Sequence, residues 1–218
     1  MPIIVEHEKR RKEILEKALD VFVEQGFENT TFQKIADRCA VTRTSLYIYF
    51  KNKKDVFNYS IQQLLVNVEA DIQRIKKNAA RTYAERLIAI FDRLIDAIME
   101  NGRLLTALFG YLRTLAKNNA DPERYVRRRT IRLRHILSSI IIEGEKRGEF
   151  CPLLIKDVNE MLYGLLEAAI FRITILHTGS GEDIKHAAGV LIRHIANYAA
   201  APPRPVAPSR PLSDNTAV

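Results

Sequence analysis

The chain has 218 residues, 47% of them apolar and 28% charged, with a formal net charge of +8. That is core material for one large domain or two small ones, and a basic balance that favours polyanionic partners. Two cysteines, Cys39 and Cys151, exclude a disulfide framework, an early charged run excludes a signal peptide, and the longest apolar run, Met161 to Leu176, holds Glu167 and Arg172 and is too short for a bilayer, so a soluble cytoplasmic chain with no membrane partner is expected.

Helical periodicity recurs along the chain and strand-like alternation does not, so the fold class is all-α, with about nine helices. Residues 1–5 read as a short apolar tail. A first helix is expected from about His7 to Gln25, with Ile14, Leu15, Ala18, Leu19, Phe22 and Val23 on one face and Gly26 ending it. Lys9, Arg10, Arg11 and Lys12 open this helix. They suit either the phosphates beside a DNA groove or plain solvent, since positive charge at a helix start is otherwise unfavourable.

Thr30 to Phe57 reads as two short helices, a tight turn and the start of a third. Phe32, Ile35, Ala36 and Cys39 share one helix face, and Thr31 before them is a good N-cap. Ala40-Val41 breaks the pattern and Thr42 caps the next helix. Val41, Leu46 and Phe50 turn inward, leaving Thr42, Arg43, Thr44, Ser45, Tyr47 and Tyr49 for the outer face. Asn52 caps the helix after that, and Asp55 is placed to return the bond as in a capping box. This is the pattern of a helix-turn-helix whose second helix enters a major groove. Arg43 can read a guanine edge, hydroxyls can bond bases or phosphates, and Lys53 and Lys54 begin a helix whose free N–H groups also hold phosphate.

Ile14 to Phe57 resembles the N-terminal domain of the TetR family of transcriptional repressors. The matching features are Ala18, Phe22, Gly26 and Phe27 at family spacing, then Thr30-Thr31, Ile35-Ala36, Val41-Thr42, Leu46-Tyr47, Tyr49-Phe50, and Lys51 with Lys53. By position, the resemblance implies DNA contacts at Thr31, Thr42, Arg43, Thr44, Ser45, Tyr47, Tyr49 and Lys53. Cys39-Ala40 departs from the family's usual Ala-Gly, Thr44 from a frequent Gly and Tyr49 from a frequent His. A turn that needs positive φ would make Ala40 cost about 1 kcal/mol relative to Gly.

The fourth helix, Lys53 to about Asn78, carries a continuous stripe from Phe57 to Ile75 and spans about 38 Å, a lever between head and body. Four more helices follow: about Thr82 to Glu100, Arg103 to Lys117, Asp121 to Arg147 and Lys156 to Leu176. A ninth runs from the Ser180/Asp183 capping pair to about Ala200. The domains expected are a helix-turn-helix domain over 6–52, a ligand-binding and dimerisation domain over 53–200, and a disordered Pro-rich tail over 201–218. Arg124, Arg127, Arg128, Arg129, Arg132 and Arg134 crowd the seventh helix; a solvated face is the favoured reading, and an anion site for the phosphates of an acyl-CoA the other. The eighth helix is apolar nearly all round. With Gly164, Ala168 and Ala169, and with Ala187, Ala188 and Gly189 on the ninth, it suits a homodimer interface, which the resemblance also implies. A buried helix in a monomer is the bland alternative.

The resemblance further implies a small-molecule pocket walled by helices five to eight, with Phe91, Phe109, Tyr163 and Phe171 as candidate lining for a lipophilic effector. No nucleophile elbow, zinc-protease motif or P-loop is present, and the histidines do not cluster, so neither catalysis, cofactor nor metal is expected. The expected function is a ligand-responsive regulator, a repressor that binds a near-palindromic double-stranded operator as a dimer. The alternative is a helical ligand-binding or scaffold protein whose head serves protein contact.

Overall fold

Short caps and long apolar stripes set the element pattern. The computed structural model describes residues 2–150, 155–178 and 180–200. Among them the elements are α1 (Pro2–Asn29), α2 (Phe32–Arg38), α3 (Arg43–Tyr47), α4 (Lys53–Lys76), α5 (Tyr83–Glu100), α6 (Gly102–Lys117), α7 (Pro122–Lys146), α8 (Ile155–Thr174) and α9 (Gly181–Ala200). The Cys151-Pro152 loop and the tail over 201–218 lie outside the described residues.

The caps act as hydrogen-bond acceptors for otherwise unpaired N–H groups. Thr31 accepts from Lys34 N, Thr42 from Ser45 N, Asn52 from Asp55 N and Asp121 from Arg124 N. Thr82 and Glu85 form a full capping box at α5. The box expected at Asn52 closes differently: Asp55 Oδ2 accepts from Lys51 N at 3.0 Å, one residue before the cap. Ala40 takes φ 55°, so the turn does need the left-handed conformation and a Cβ is strained there.

Some helix ends differ from the sequence reading. α1 starts at Pro2, so residues 2–5 are helix rather than tail. Gly26, at φ 73° and ψ 162°, breaks the helical path as expected, but Phe27–Asn29 resume a turn beyond it. α8 stops at Thr174, not Leu176, because the N–H of Leu176 reaches back five residues to Phe171 O, which Ile175 N already uses, and that of Thr178 six residues to Arg172 O.

Two apolar cores result. The head core joins Ile14, Phe22, Phe27, Ile35, Leu46, Phe50 and Phe57 to Tyr111 of α6. Phe57 meets Phe22 edge-on at 5.2 Å and Tyr111 at 5.0 Å, while Phe27 lies 4.5 Å from Tyr111. The body core gathers Ile72, Leu87, Ile90, Phe91, Ile95, Leu137, Ile140, Leu162, Ala169 and Ile192 around α5. α4 belongs to both: Phe57 and Ile61 lie in the first, Val68 and Ile72 in the second. α1 also packs on α6, where Arg103 pairs with Asp20 at 2.9 Å and Lys117 with Glu28 at 3.1 Å.

α8 and α9 each bury one face and leave another bare. Met161, Phe171 and Val190 are about half exposed, and Gly164, Ala168 and Ala187 share that surface. Ala169 and Ala188 are instead buried, because their registers point them at the body core, and Gly189 is buried under the Arg193 guanidinium.

Candidate nucleic-acid interface and core cavity

α3 has only five residues, and its orientation comes from what lies beneath it. Leu46 is fully buried, Phe50 almost so, and the Tyr47 ring rests 4.8 Å from Phe32. The opposite face is free. Thr42, Arg43, Thr44 and Tyr47 are exposed, and Ser45 partly so. Arg43 Nη2 donates to Tyr47 Oη at 3.1 Å, which holds a guanidinium and a phenol side by side on the rim. Thr42 and Ser45 hydroxyls pair at 2.8 Å, and Thr42 also caps the helix, so its oxygen is partly committed to structure. Thr31 is exposed and likewise serves as a cap. Tyr49 is half-buried and stacks on His7 at 4.6 Å, which ties the start of α1 to the end of the recognition unit.

Lys53 sits differently from the rest of the set. Its ammonium donates to Phe27 O at 2.8 Å, Glu28 O at 3.0 Å and Thr30 O at 2.7 Å. All three N–H bonds of the head group are thereby used on the frayed end of α1, and burial lowers its pKa, with Glu28 acting against that. The cation free to meet a phosphate is instead found on Lys51 and Lys54, both exposed beside it. Ile48, 68% exposed, was not singled out from the sequence although its spacing from Leu46 forbids the inner face; an exposed apolar side chain of this kind can meet a thymine methyl. Of the basic run on α1, Lys9 and Lys12 are exposed, while the Arg11 guanidinium lies 3.6 Å from the Tyr59 ring centroid. Cys39 is buried and its thiol is pushed up by that burial, away from the thiolate that redox sensing needs.

The body holds an apolar cavity of about 200 Å³. Its walls come from α4 to α8, so α4 joins the four helices expected. Ile61, Leu64, Leu65 and Val68 form the α4 side, Leu105 and Leu108 the α6 side, and Tyr125, Arg129 and Arg134 the α7 side. Of the four aromatic residues expected to line it, only Tyr163 does. Phe91 is fully buried in the body core on the inner face of α5, and Phe171 is 49% exposed on the bare face of α8. Phe109 is partly buried and away from the cavity.

The arginine row on α7 divides. Arg124, Arg127, Arg128 and Arg132 face solvent, Arg132 within 3.7 Å of Glu69. Arg129 and Arg134 turn to the cavity and lie on aromatic rings, Arg129 at 3.4 Å from Tyr125 and Arg134 at 3.8 Å from Tyr163. Asn58 Oδ1 of α4 accepts from Tyr125 Oη at 2.8 Å and from Arg129 Nη2 at 3.0 Å. Burial pushes the Tyr125 phenol up to about 12, so it remains a donor at neutral pH. A second opening of about 350 Å³ lies on the other side of Leu64 and Val68, between α1, α4, α5 and α6, with Lys12, Glu16, Gln63, Asn67 and Arg93 on its surface. Among the described residues, no helix is long and apolar enough to cross a membrane, and no three acidic, His or Cys side chains gather as metal ligands.

Comparison with known proteins matches this geometry. Residues 14–59 fit the family model described as bacterial regulatory proteins, tetR family. The chain is 26% identical over 171 residues to the HTH-type transcriptional regulator YfiR of Bacillus subtilis, covering 75% of this chain and 82% of that one. It is 26% identical over 172 residues to the fatty acid metabolism regulator protein of the same organism, covering 75% and 84%. Its fold is similar to that of the transcriptional regulator FadR from Bacillus subtilis in complex with stearoyl-CoA, with a TM-score of 0.69 at 20% identity over 83% of this chain and 96% of that one.

Proposed function

We propose that this chain, whose residues 14–59 fit the tetR family model, is a TetR-family transcriptional regulator that works as a homodimeric repressor, released from its operator by a lipophilic acyl effector. The observation that carries the reading is the α3 surface. A buried Leu46 and Phe50 fix a short helix whose outward face offers Arg43, Thr44 and Tyr47 to a major groove. Lys51 and Lys54 supply backbone charge next to it, and Lys53 holds the head together rather than meeting phosphate. The head takes in residues 6–52, and the body from 53 to 200 houses effector and interface.

The dimer reading is supported by the bare stripe of Met161, Gly164, Ala168 and Phe171 on α8 with Ala187 and Val190 on α9. Small residues at its centre let a second copy approach closely, and a large exposed apolar face on a basic chain is otherwise an aggregation hazard. Two copies would set their α3 helices in successive major grooves, about 34 Å apart. A regulator of DNA works in the cytoplasm, and the reading assigns the chain no reaction. The effector class is supported by an apolar cavity edged by two arginines and by the stearoyl-CoA complex of the FadR relative.

Selection of bound duplexes from a random pool tests this. The expected product is an inverted repeat with half-sites one helical turn apart. Arg43→Ala should then lose about 1–3 kcal/mol of discrimination at one position per half-site while keeping the salt slope. A pool that yields no repeat, or binding that ignores salt, would leave a scaffold protein as the better account.

A further inference from the structure

The α7–α8 wall of the cavity holds two buried donors that no group among the described residues satisfies. Tyr163 is 6% exposed and its hydroxyl has no hydrogen-bond partner. Arg134 Nε is buried and equally without one, although Nη1 of the same guanidinium donates to Glu160 at 3.1 Å. Both residues line the cavity, and the guanidinium rests on the Tyr163 ring. Burying a donor with no acceptor costs its full desolvation penalty, so each such group calls for an explanation. Arg129, the other cavity cation, already donates to Asn58 and does not compete.

We infer that Tyr163 Oη and Arg134 Nε form a subsite for the acyl oxygen of an amphipathic effector. This rests on the reading above of an effector-gated regulator, and adds which end of the effector is recognised and by which atoms. The apolar body of the molecule lies against Leu64, Leu105, Leu108 and Leu166, where no polar atom is needed. Its oxygen accepts from the phenol and the guanidinium together. Two sources share that chemistry, the carboxylate of a free acid and the carbonyl of a thioester. Glu160 already balances the Arg134 charge, so charge does not choose between them.

The test uses the full-length chain with dodecanoate, dodecanoyl-CoA and, as an oxygen-free control, dodecane, each displacing a fluorescent apolar dye. Tyr163→Phe removes one oxygen and keeps the ring. It should weaken binding of at least one acyl probe about tenfold, leave dodecane unchanged, and give an unfolding midpoint no lower than the native chain's. Arg134→Lys keeps the charge but not the planar Nε–H, and should weaken the same probe. Loss confined to dodecanoate identifies the free acid as the source, and loss confined to dodecanoyl-CoA the thioester. Unchanged acyl affinity in Tyr163→Phe overturns the subsite. So does a lowered midpoint, because the hydroxyl would then serve the fold, for example against the unpaired Asn159 Oδ1 one turn away. A native chain that binds operator duplex but neither acyl probe also overturns it and leaves the DNA reading intact. One that binds no duplex removes the premise as well.

Discussion

Lys53 shows how far a residue's role can be read from its position in a motif. The family pattern marks it as a phosphate contact, and a lysine in the first turn of a helix beside DNA suits that purpose. Here its three N–H bonds end on carbonyls of Phe27, Glu28 and Thr30, which lie past the break at Gly26, where α1 ends and helical partners run out. The same break lets the Thr30 hydroxyl donate to Gly26 O at 2.7 Å. Lys53→Met keeps the stem against Phe27 and removes the bonds. The expected result is a head destabilised by about 2 kcal/mol in urea unfolding, the scale of a charged donor lost to partly buried acceptors. The salt slope of operator binding should hardly move. A stable variant whose slope falls by about one would return Lys53 to the phosphate. Nothing in the sequence signalled this, since spacing names a neighbour in the helix but not a carbonyl two elements away. Ala40 was more legible: the departure from glycine was visible, and φ 55° is where it costs.

At the scale of elements, the caps and stripes carried most of the pattern. Thr31, Thr42, Thr82 and Asp121 begin helices where the sequence puts them, because an N-cap is a local bond between residues three apart. Faces were less legible. Phe91 and Phe171 both read as candidate pocket residues, yet one faces the body core and the other solvent, because an apolar position does not name the neighbour that covers it, least of all on α8, which is apolar nearly all round. Gly144 of α7 was not singled out for a related reason. A Cβ there would stand 2.3 Å from the Phe150 ring and 3.0 Å from Tyr83 Cβ, contacts made only in three dimensions. α7 thus approaches the start of α5 closely enough that Phe150 can lie over the glycine, and Tyr83 N donates to Glu149 just before it. Gly144→Ala must move a buried ring. It should cost about 1–3 kcal/mol in spite of alanine's better helix propensity. Chemical denaturation measures it, and a stabilised variant would mean that Phe150 swings away freely.

For the molecule as a whole, α4 is the element on which head and body must agree. It supplies Phe57 to one core and Ile72 to the other, and its middle turns separate two openings. The inner cavity, about 200 Å³, is smaller than the roughly 300 Å³ at which pockets for small molecules begin, so an occupant has to push a wall. Leu64 and Val68 face the inner cavity and also border the outer cleft of about 350 Å³, which leaves α4 room to yield. Movement of α4 away from α7 would stretch one link in particular, the pair of bonds from Tyr125 and Arg129 to Asn58. On this account those bonds would favour the empty state and oppose the occupied one, and an effector would shift the balance only by its differential affinity. Asn58→Ala removes the acceptor. It should leave the α3 surface untouched, yet lower the concentration of acyl probe that half-releases the operator by about tenfold, the equivalent of one to two hydrogen bonds. Titration of the operator complex with dodecanoyl-CoA reads this directly. A half-release point that stays fixed or rises, in a variant that still binds operator, would mean that the cavity speaks to the head through some other contact than Asn58.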